Sequence, residues 1–379
     1  MQKLIDFDKT YAIALSGGGA KGGYEVGVWR ALQEEGLKYS AVSGTSVGAL
    51  NGALMAMRDL DTAEELWRNI RYSDVMDVDD ENMGKLFDKK VRGIDIGGIV
   101  KKAYVTFRDG GFDITPLRNL LHKYIDVDKI KKSDVEFFIV TYSITERKEL
   151  DLTVKALPED EICDMLLASA YFPAFKNEPM TGGRRFMDGG ISDTLPITPL
   201  ADHGYKDIIA VRLRDGLGKE KRVRYQSDLN IHYIEPRRKL GNTLNFSSEQ
   251  ARYNLELGYY DAKRYIYGLA GDHYYLERTL DEYDAYRELV VIVRQCAESA
   301  GKELSLRTVH ELSLPKLAHE LEAKGDYYDV FLHWLENEAK CFGLPEFRIL
   351  KDVELLAEVK KAAAGGEYSK TLLKAACKV

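Results

Sequence analysis

Cysteine is scarce in this sequence, since four cysteines stand among 379 residues, widely spaced at Cys163, Cys296, Cys341 and Cys377. No two of them form a Cys-x-x-Cys pair, and the seven histidines are not clustered. A disulfide framework or a structural zinc site would need closer spacing, so the sequence indicates neither. We expect reduced cysteines, no bound metal and no cofactor.

Long apolar runs are missing as well. No stretch is long and apolar enough to span a bilayer, so we expect any contact with a membrane to be peripheral. The first nine residues reach charged side chains too early for the apolar region of a signal peptide, which favours a cytoplasmic protein. The net charge of -7 gives no broad electrostatic reason to bind nucleic acid. The oligomeric state cannot be read from the sequence.

Apolar residues make up 45% of the chain and charged residues 30%, which is typical of a soluble globular protein. A length of 379 residues favours two compact units. We predict an α/β domain over residues 1–270 and a helical region of unknown role over residues 271–379.

Strand and helix patterns alternate through about residue 236. Buried or alternating strand patterns occur at residues 11–15, 136–144, 149–154, 207–213 and 231–235. Such alternation is typical of a mainly parallel α/β sheet with helices on both faces. After Ser247 the periodicity is helical, with no convincing strand, over residues 247–269, 276–300, 306–323, 326–340 and 346–363.

Ser46 stands between Gly44 and Gly48, where a short apolar segment passes into a helical one. This Gly-x-Ser-x-Gly spacing is typical of a nucleophile elbow, a strained strand-to-helix turn whose neighbours must lack side chains. The first turn of the following helix would point free N–H groups, including that of Val47, at Ser46. Taken alone, the pattern also fits a glycine-flanked turn with an ordinary N-cap serine.

A glycine loop follows the first predicted strand, at Ser16-Gly17-Gly18-Gly19-Ala20-Lys21-Gly22-Gly23. A dinucleotide fingerprint would need an acidic residue about 20 positions on, and Ser40-Ala-Val-Ser-Gly occupies that place. A Walker-type phosphate loop would need Ser or Thr after Lys21, which is followed by Gly22. The third hypothesis is an oxyanion loop, in which bare N–H groups turn toward a developing negative charge. A simple tight turn remains the alternative, with Lys21 as a solvated loop residue.

An acidic residue, Asp188, ends a short strand pattern and is followed by Gly189 and Gly190. Asparagine and aspartate at such places are usually turn formers or caps. On its own, this position does not identify a catalytic group.

Taken together and in order, these motifs resemble the patatin-like phospholipases of the bacterial type. The resemblance covers about residues 10 to 265 and includes Ala168-Ser-Ala-Tyr-Phe-Pro173, Leu195-Pro196 and Gly258-Tyr-Tyr-Asp-Ala262. The chain departs from the pattern at Thr194, where such proteins more often have asparagine. The resemblance implies a three-layer sandwich with a mainly parallel sheet, to which the C-terminal helical region is appended.

The resemblance also implies site residues. It assigns a Ser-Asp dyad to Ser46 and Asp188 and oxyanion donors to Gly17, Gly18, Gly19 and Val47, with Gly22, Gly44, Gly48, Gly189 and Gly190 as motif glycines. A carboxylate with an ordinary pKa near 3.9 is a weak base for a hydroxyl group. Asp188 must therefore touch Ser46 directly and be partly desolvated to act near neutral pH.

The predicted function is cleavage of fatty acyl esters of phospholipids or lysophospholipids. The alternatives are a general carboxylesterase, an α/β-hydrolase with a late histidine, or a non-catalytic module that binds a lipid or a partner. The apolar segment 93–112, the basic run 219–224 and the tyrosines of residues 253–267 are candidate lipid contacts. Each also fits an ordinary loop, a solvated surface or core packing.

Overall fold

The computed structural model describes residues 3–87, 111–176, 178–213, 220–221 and 226–363, together with residues 368, 369, 372 and 374. Most of the apolar segment 93–112 and of the basic run 219–224 lies outside the described residues. The chain divides into two compact units, residues 3–266 and the residues from 267 onward. Each unit is described by itself.

The first unit contains a seven-stranded sheet in the order β4-β3-β2-β1-β6-β7, with β5 also paired to β3. The strands are β1 (Thr10–Leu15), β2 (Lys38–Thr45), β3 (Glu136–Ser143), β4 (Lys148–Thr153), β5 (Phe186–Asp188), β6 (Asp207–Val211) and β7 (Asn230–Ile234). The pairs β1–β2, β1–β6, β2–β3 and β6–β7 are parallel, whereas β4 and β5 run antiparallel to β3. The predicted mainly parallel α/β sheet is confirmed.

Helices connect these strands and follow them. The described α-helices of this unit are α1 (Gly23–Glu34), α2 (Val47–Ala56), α3 (Leu60–Asn69), α4 (Asp80–Phe87), α5 (Thr115–Tyr124), α6 (Val127–Lys132), α7 (Glu159–Ser169), α8 (Ile197–Asp202) and α9 (Ser248–Tyr267). Two 3₁₀ turns, Gly19–Lys21 and Gly189–Ile191, contain parts of the glycine motifs.

Helices cover both faces of the sheet. On β2, Ala41 belongs to a buried cluster with residues of α8 and the segment before it, such as Leu200. Its neighbour Val42 faces α2 instead, because a Cβ on Gly52 of α2 would lie 3.2 Å from Val42 Cγ1. Since consecutive strand residues point to opposite faces, α8 and α2 lie on opposite sides of the sheet. The fold is a three-layer sandwich.

The second unit is mainly helical but not entirely so. It contains α10 (Glu282–Ser299), α11 (Leu314–Glu320), α12 (Tyr327–Cys341) and α13 (Asp352–Ala362), with a π-helical segment at Val309–Ser313. The strands β8 (Tyr275–Glu277) and β9 (Ile349–Lys351) form a parallel pair. The expectation of no strand after Ser247 is wrong, because three residues are too few to show a strand period and their partner is distant in sequence.

Its core contains buried residues of α10, α11, α12 and α13. Leu289, Phe331, Trp334 and Leu335 are among the fully buried side chains. Within the described ranges, none of the helices combines the length and the apolar composition that crossing a bilayer requires.

Candidate active site

Two strands that run toward each other bring Ser46 and Asp188 together. Parallel pairing of β2 with β3 ends with Thr45 opposite Val140. Antiparallel pairing of β5 with β3 ends with Asp188 opposite Thr141, the next residue of β3. The strands β2 and β5 therefore end at neighbouring positions beside β3, and Ser46 follows Thr45 directly.

The two side chains are hydrogen bonded. Ser46 Oγ donates to Asp188 Oδ2 at 2.6 Å, and the N–H of Gly190 donates to Asp188 Oδ1 at 2.8 Å. Burial raises the pKa of the Asp188 carboxyl to about 6, although both of these hydrogen bonds lower it. A carboxylate with this pKa is a stronger base than an ordinary aspartate and is still largely ionised at pH 7.

The backbone of Ser46 is strained. Its φ is 55° and its ψ is -125°, in a region that non-glycine residues rarely adopt and that costs on the order of 1–3 kcal/mol. The N–H of Ser46 donates to Ser169 Oγ at 2.9 Å, and Ser169 Oγ donates to the carbonyl oxygen of Val140 at 2.6 Å. Ser169, the last residue of α7, therefore ties the elbow to β3.

The glycines on either side of Ser46 allow close backbone approach. A Cβ on Gly44 would lie 2.2 Å from the carbonyl oxygen of Gly48, and one on Gly48 would lie 2.4 Å from that of Leu15. No side chain fits either position without moving the backbone, so the turn requires glycine at both. Gly189 has a similar constraint, since its Cβ would lie 2.2 Å from the carbonyl oxygen of Val140.

The glycine loop lies beside Ser46 and Asp188, but its N–H groups differ in whether they are already hydrogen bonded. The N–H of Gly17 already donates to the carbonyl oxygen of Thr194 at 2.8 Å. Gly17 therefore does not supply a free oxyanion donor, and its predicted role is wrong for this N–H group. Thr194, the residue that departs from the family pattern, thus fixes the start of the glycine loop through its backbone carbonyl oxygen.

Three other N–H groups remain for an oxyanion. In the described part of the chain, the N–H groups of Gly18, Gly19 and Val47 donate to no protein acceptor. Gly19 has φ of 57°, and a Cβ there would lie 2.4 Å from the carbonyl oxygen of Thr243, so only glycine fits. Val47 begins α2, where a helix leaves its first N–H groups unpaired and carries a partial positive charge.

The expected solvation of Lys21 is wrong. Only 2% of Lys21 is exposed. The loop lies against the segment that contains Thr243, whose carbonyl oxygen accepts a hydrogen bond from the N–H of Ala20 at 2.8 Å.

A cavity of about 660 Å³ lies against the dyad and the free N–H groups. Ser46, Asp188, Gly18, Gly19 and Val47 line it. Most of the remaining lining is apolar and includes Leu50, Leu54, Trp67, Ile70, Val75, Leu117, Leu121, Ile125, Phe172, Phe175, Met187, Leu244 and Phe246. Such a cavity suits an apolar chain attached to a group that reacts at Ser46.

Neither a histidine nor a metal cluster belongs to this site as far as the described residues extend. The residues that line the cavity include none of the seven histidines. His203 and His232, the two that follow Asp188 within the first unit, contact the carbonyl oxygen of Pro199 and the hydroxyl of Tyr265. No group of three or more described histidine, cysteine, aspartate or glutamate side chains is arranged to bind a metal.

Two candidate lipid contacts have protein partners. Lys221 forms an ion pair with Glu149. The hydroxyl of Tyr259 donates to Glu34 at 2.8 Å, and Arg30 lies 4.2 Å from the centre of its ring. These contacts favour packing within residues 3–266 over contact with lipid.

Comparison with known proteins gives the same family as the motifs. The profile of the family described as patatin-like phospholipase matches residues 13–201. Over 200 residues the chain is 29% identical to Lysophospholipase NTE1 of Cryptococcus neoformans var. neoformans serotype D, covering 52% of this chain and 11% of that protein. Over 44 residues it is 54% identical to the patatin-like phospholipase domain-containing protein ZK370.4 of Caenorhabditis elegans, covering 12% of this chain and 3% of that protein.

The chain thus spans about a tenth of the length of the lysophospholipase it matches. Among solved structures it is similar to VipD from Legionella pneumophila, with 16% identity, a TM-score of 0.42, and coverage of 97% of this chain and 90% of that one. On the motifs and the matched profile, residues 13–201 of this chain belong to the patatin-like phospholipase family.

Proposed function

We propose that this protein is a serine acyl hydrolase that cleaves fatty acyl esters of phospholipids or lysophospholipids through the dyad of Ser46 and Asp188. The observation that carries the proposal is the 2.6 Å hydrogen bond from Ser46 Oγ to Asp188 Oδ2 at the wall of an apolar cavity. The direction of the bond is that required for a base that takes the proton of a nucleophile.

In the first half of the reaction, Asp188 takes the Ser46 proton while Oγ attacks the ester carbonyl carbon. The carbonyl oxygen becomes an anion that accepts hydrogen bonds from the free N–H groups of Gly18, Gly19 and Val47. Collapse of this intermediate expels the alcohol, which takes the proton from Asp188. Loss of a single oxyanion donor typically costs about 2.7–4 kcal/mol of transition-state stabilisation. The N–H groups of the loop and of Val47 are therefore as important for the rate as the base.

In the second half, water attacks the acyl group on Ser46. Asp188 takes a proton from the water and returns it to Ser46 Oγ as the fatty acid leaves. The balance of protons needs no further group, because Asp188 is ionised at the start and at the end.

The acyl chain is assigned to the apolar cavity. Its lining offers aliphatic and aromatic side chains for a hydrocarbon, and the ester end would meet the dyad. The name of the Cryptococcus relative, a lysophospholipase, supports a lipid substrate with a phosphate-containing head group.

A fluorophosphonate probe tests the nucleophile, and radiolabelled lipid tests the substrate. We expect the probe to label wild type and not Ser46→Ala. Wild type should release fatty acid from vesicles of phosphatidylcholine or from lysophosphatidylcholine. Hydrolysis of p-nitrophenyl butyrate without release of fatty acid from either lipid would contradict the lipid substrate and favour a general carboxylesterase. An unlabelled wild type would contradict the hydrolase and favour a binding module.

A further inference from the structure

We propose that Asn51 is a positioning residue that fixes the two halves of the oxyanion hole relative to each other. One half is the glycine loop with the N–H groups of Gly18 and Gly19, and the other is the N–H of Val47 at the start of α2. The inference rests on the proposed function, because it concerns the geometry of that same site. Its evidence is a buried hydrogen-bond network that joins three chain segments.

Asn51 lies one turn after Val47 on α2 and is 3% exposed. Its Nδ2 donates to the carbonyl oxygen of Gly22 at 3.0 Å and to Glu25 Oε2 at 2.8 Å. Its Oδ1 accepts from Trp67 Nε1 at 2.9 Å. Both amide hydrogens and the amide oxygen are thus used, so the side chain is held in one orientation.

The bond to Gly22 connects α2 to the glycine loop. The N–H of Gly22 donates to the carbonyl oxygen of Gly19 at 3.1 Å, so Gly22 closes the turn that presents the free N–H of Gly19. A Cβ on Gly22 would lie 2.4 Å from Val47 Cγ2 and 3.0 Å from Asn51 Nδ2, which shows how closely the loop approaches the helix. The Asn51 amide therefore fixes the distance between Gly19 and Val47, whose N–H groups must converge on one oxygen.

Glu25 completes the network from α1. It is 1% exposed, and burial raises the pKa of its carboxyl well above the usual range. A carboxyl oxygen of Glu25 accepts from Asn51, so the amide oxygen of glutamine at this position would preserve the contact and leucine would remove it. Trp67 connects the same network to the cavity, because its ring forms part of the apolar wall.

The experiment compares Asn51→Leu with Tyr39→Phe. Leucine has the same number and branching of side-chain heavy atoms as asparagine, and it removes all three hydrogen bonds. Tyr39→Phe removes a buried bond of 2.9 Å to the carbonyl oxygen of Met55 at the opposite end of the same helix. With p-nitrophenyl butyrate, we expect Asn51→Leu to lower kcat about 10- to 100-fold with KM changed less than about 3-fold. We expect Tyr39→Phe to keep kcat within about 2-fold.

The pH profile separates positioning from damage to the dyad. Asn51→Leu leaves Ser46 and Asp188 in contact, so the acid limb of kcat/KM should keep the apparent pKa of wild type. Glu25→Gln should retain several-fold more kcat than Glu25→Leu. Equal kcat for Asn51→Leu and Tyr39→Phe, a loss confined to KM, or a shifted acid limb would overturn the role of Asn51.

A second variant covers the case in which Asn51→Leu does not fold. Trp67→Phe keeps an aromatic ring at the cavity wall but removes the N–H donor to Asn51 together with part of the indole ring, and we expect kcat to fall about 3- to 10-fold with KM changed less. An unchanged kcat in that variant would also overturn the proposal.

Failure of the proposed function is distinguishable from failure of this role. A wild type that hydrolyses no ester above the Ser46→Ala blank would contradict the function alone. The rate of fluorophosphonate labelling at Ser46 would then report on the hole, because the phosphonyl oxygen needs the same donors. We expect Asn51→Leu to label at least about 10-fold more slowly than wild type, and equal rates would refute the role.

Discussion

Thr45 and Asp188 lie opposite consecutive residues of one strand, Val140 and Thr141. The first reaches β3 on a parallel strand and the second on an antiparallel strand. Ser46 and Asp188 are therefore positioned by backbone register. A slip of one residue in β5 would turn the Asp188 side chain to the opposite face of the sheet.

The first prediction concerns the dyad. Ser46→Ala and Asp188→Asn should each lower kcat for p-nitrophenyl butyrate by about 10³-fold or more, since each removes one member of a unit that performs one step. The double variant should be little slower than either single variant. Multiplicative losses in the double variant, with circular dichroism spectra like that of wild type, would contradict a shared step.

The second prediction concerns the pH dependence of activity. Because burial raises the pKa of Asp188 to about 6, the base should become protonated as the pH falls through about 6. We expect kcat/KM to decrease about tenfold per pH unit below that point, with a one-proton slope. The measurement is a pH profile with a soluble ester between pH 4 and pH 9. An acid limb near pH 4 would mean that Asp188 is not desolvated in solution.

The third prediction concerns the stability cost of the same carboxyl. Its pKa is raised on folding from 3.8 to about 6, so its contribution to stability is greatest below pH 3.8 and is lost as the pH rises through about 6. Asparagine cannot ionise, and its Oδ1 can still accept from the N–H of Gly190 while its Nδ2 faces Ser46 Oγ. We expect Asp188→Asn to increase the free energy of unfolding by on the order of 2 kcal/mol at pH 8.

Urea unfolding at pH 8 and pH 4 measures this effect, and the gain should be absent at pH 4. Asp134 provides a control of opposite sign. Its hydrogen bond to Arg58 lowers the pKa of its carboxyl, so Asp134→Asn should lower stability at pH 8. A gain for Asp188→Asn that is equal at both pH values would argue against an ionisation effect.

The fourth prediction compares two glycines with positive φ. Gly19→Ala would place a Cβ 2.4 Å from the carbonyl oxygen of Thr243, whereas a Cβ on Gly36, with φ of 87°, would meet nothing within 4 Å. Both variants carry backbone strain of about 1 kcal/mol, but only Gly19→Ala should displace an oxyanion donor. We expect kcat to fall about 10²-fold or more for Gly19→Ala and less than 2-fold for Gly36→Ala. Similar activities in the two variants would remove Gly19 from the site.

The fifth prediction concerns Ser169, whose side chain is hydrogen bonded to the N–H of Ser46. Ser169→Ala leaves the N–H of Ser46 and the carbonyl oxygen of Val140 without their shared partner, and should cost about 1–3 kcal/mol of stability. Ser43→Ala removes a comparable buried bond to the carbonyl oxygen of Pro196. We expect similar losses of stability, but a fall in kcat of about tenfold only for Ser169→Ala. If Ser43→Ala loses as much activity, the effect is one of general stability.

The fold class could be predicted from the sequence because its causes are local. Alternating apolar periods favour parallel strands joined by helices, and the apolar strand patterns match β1, β3 and β6 closely. Gly44 and Gly48 are readable in the same way, since a tight strand-to-helix turn demands glycine wherever it occurs. The short pair β8–β9 was not predicted, because three residues are too few to show the alternation of apolar and polar side chains that marks a strand.

Sequence by itself determined the α/β class, the family and the residue types of the site, because periodicity, glycine spacing and motif order are properties of the chain. Only the tertiary structure decided which backbone N–H groups are free, since that depends on the distant segment that lies opposite each one. The N–H of Gly17 donates to the carbonyl oxygen of Thr194, whereas the N–H groups of Gly18 and Gly19 donate to no acceptor among the described residues. The same reason applies to Asn51, whose neighbours in space come from α1, α3 and the glycine loop, and which no local pattern marks.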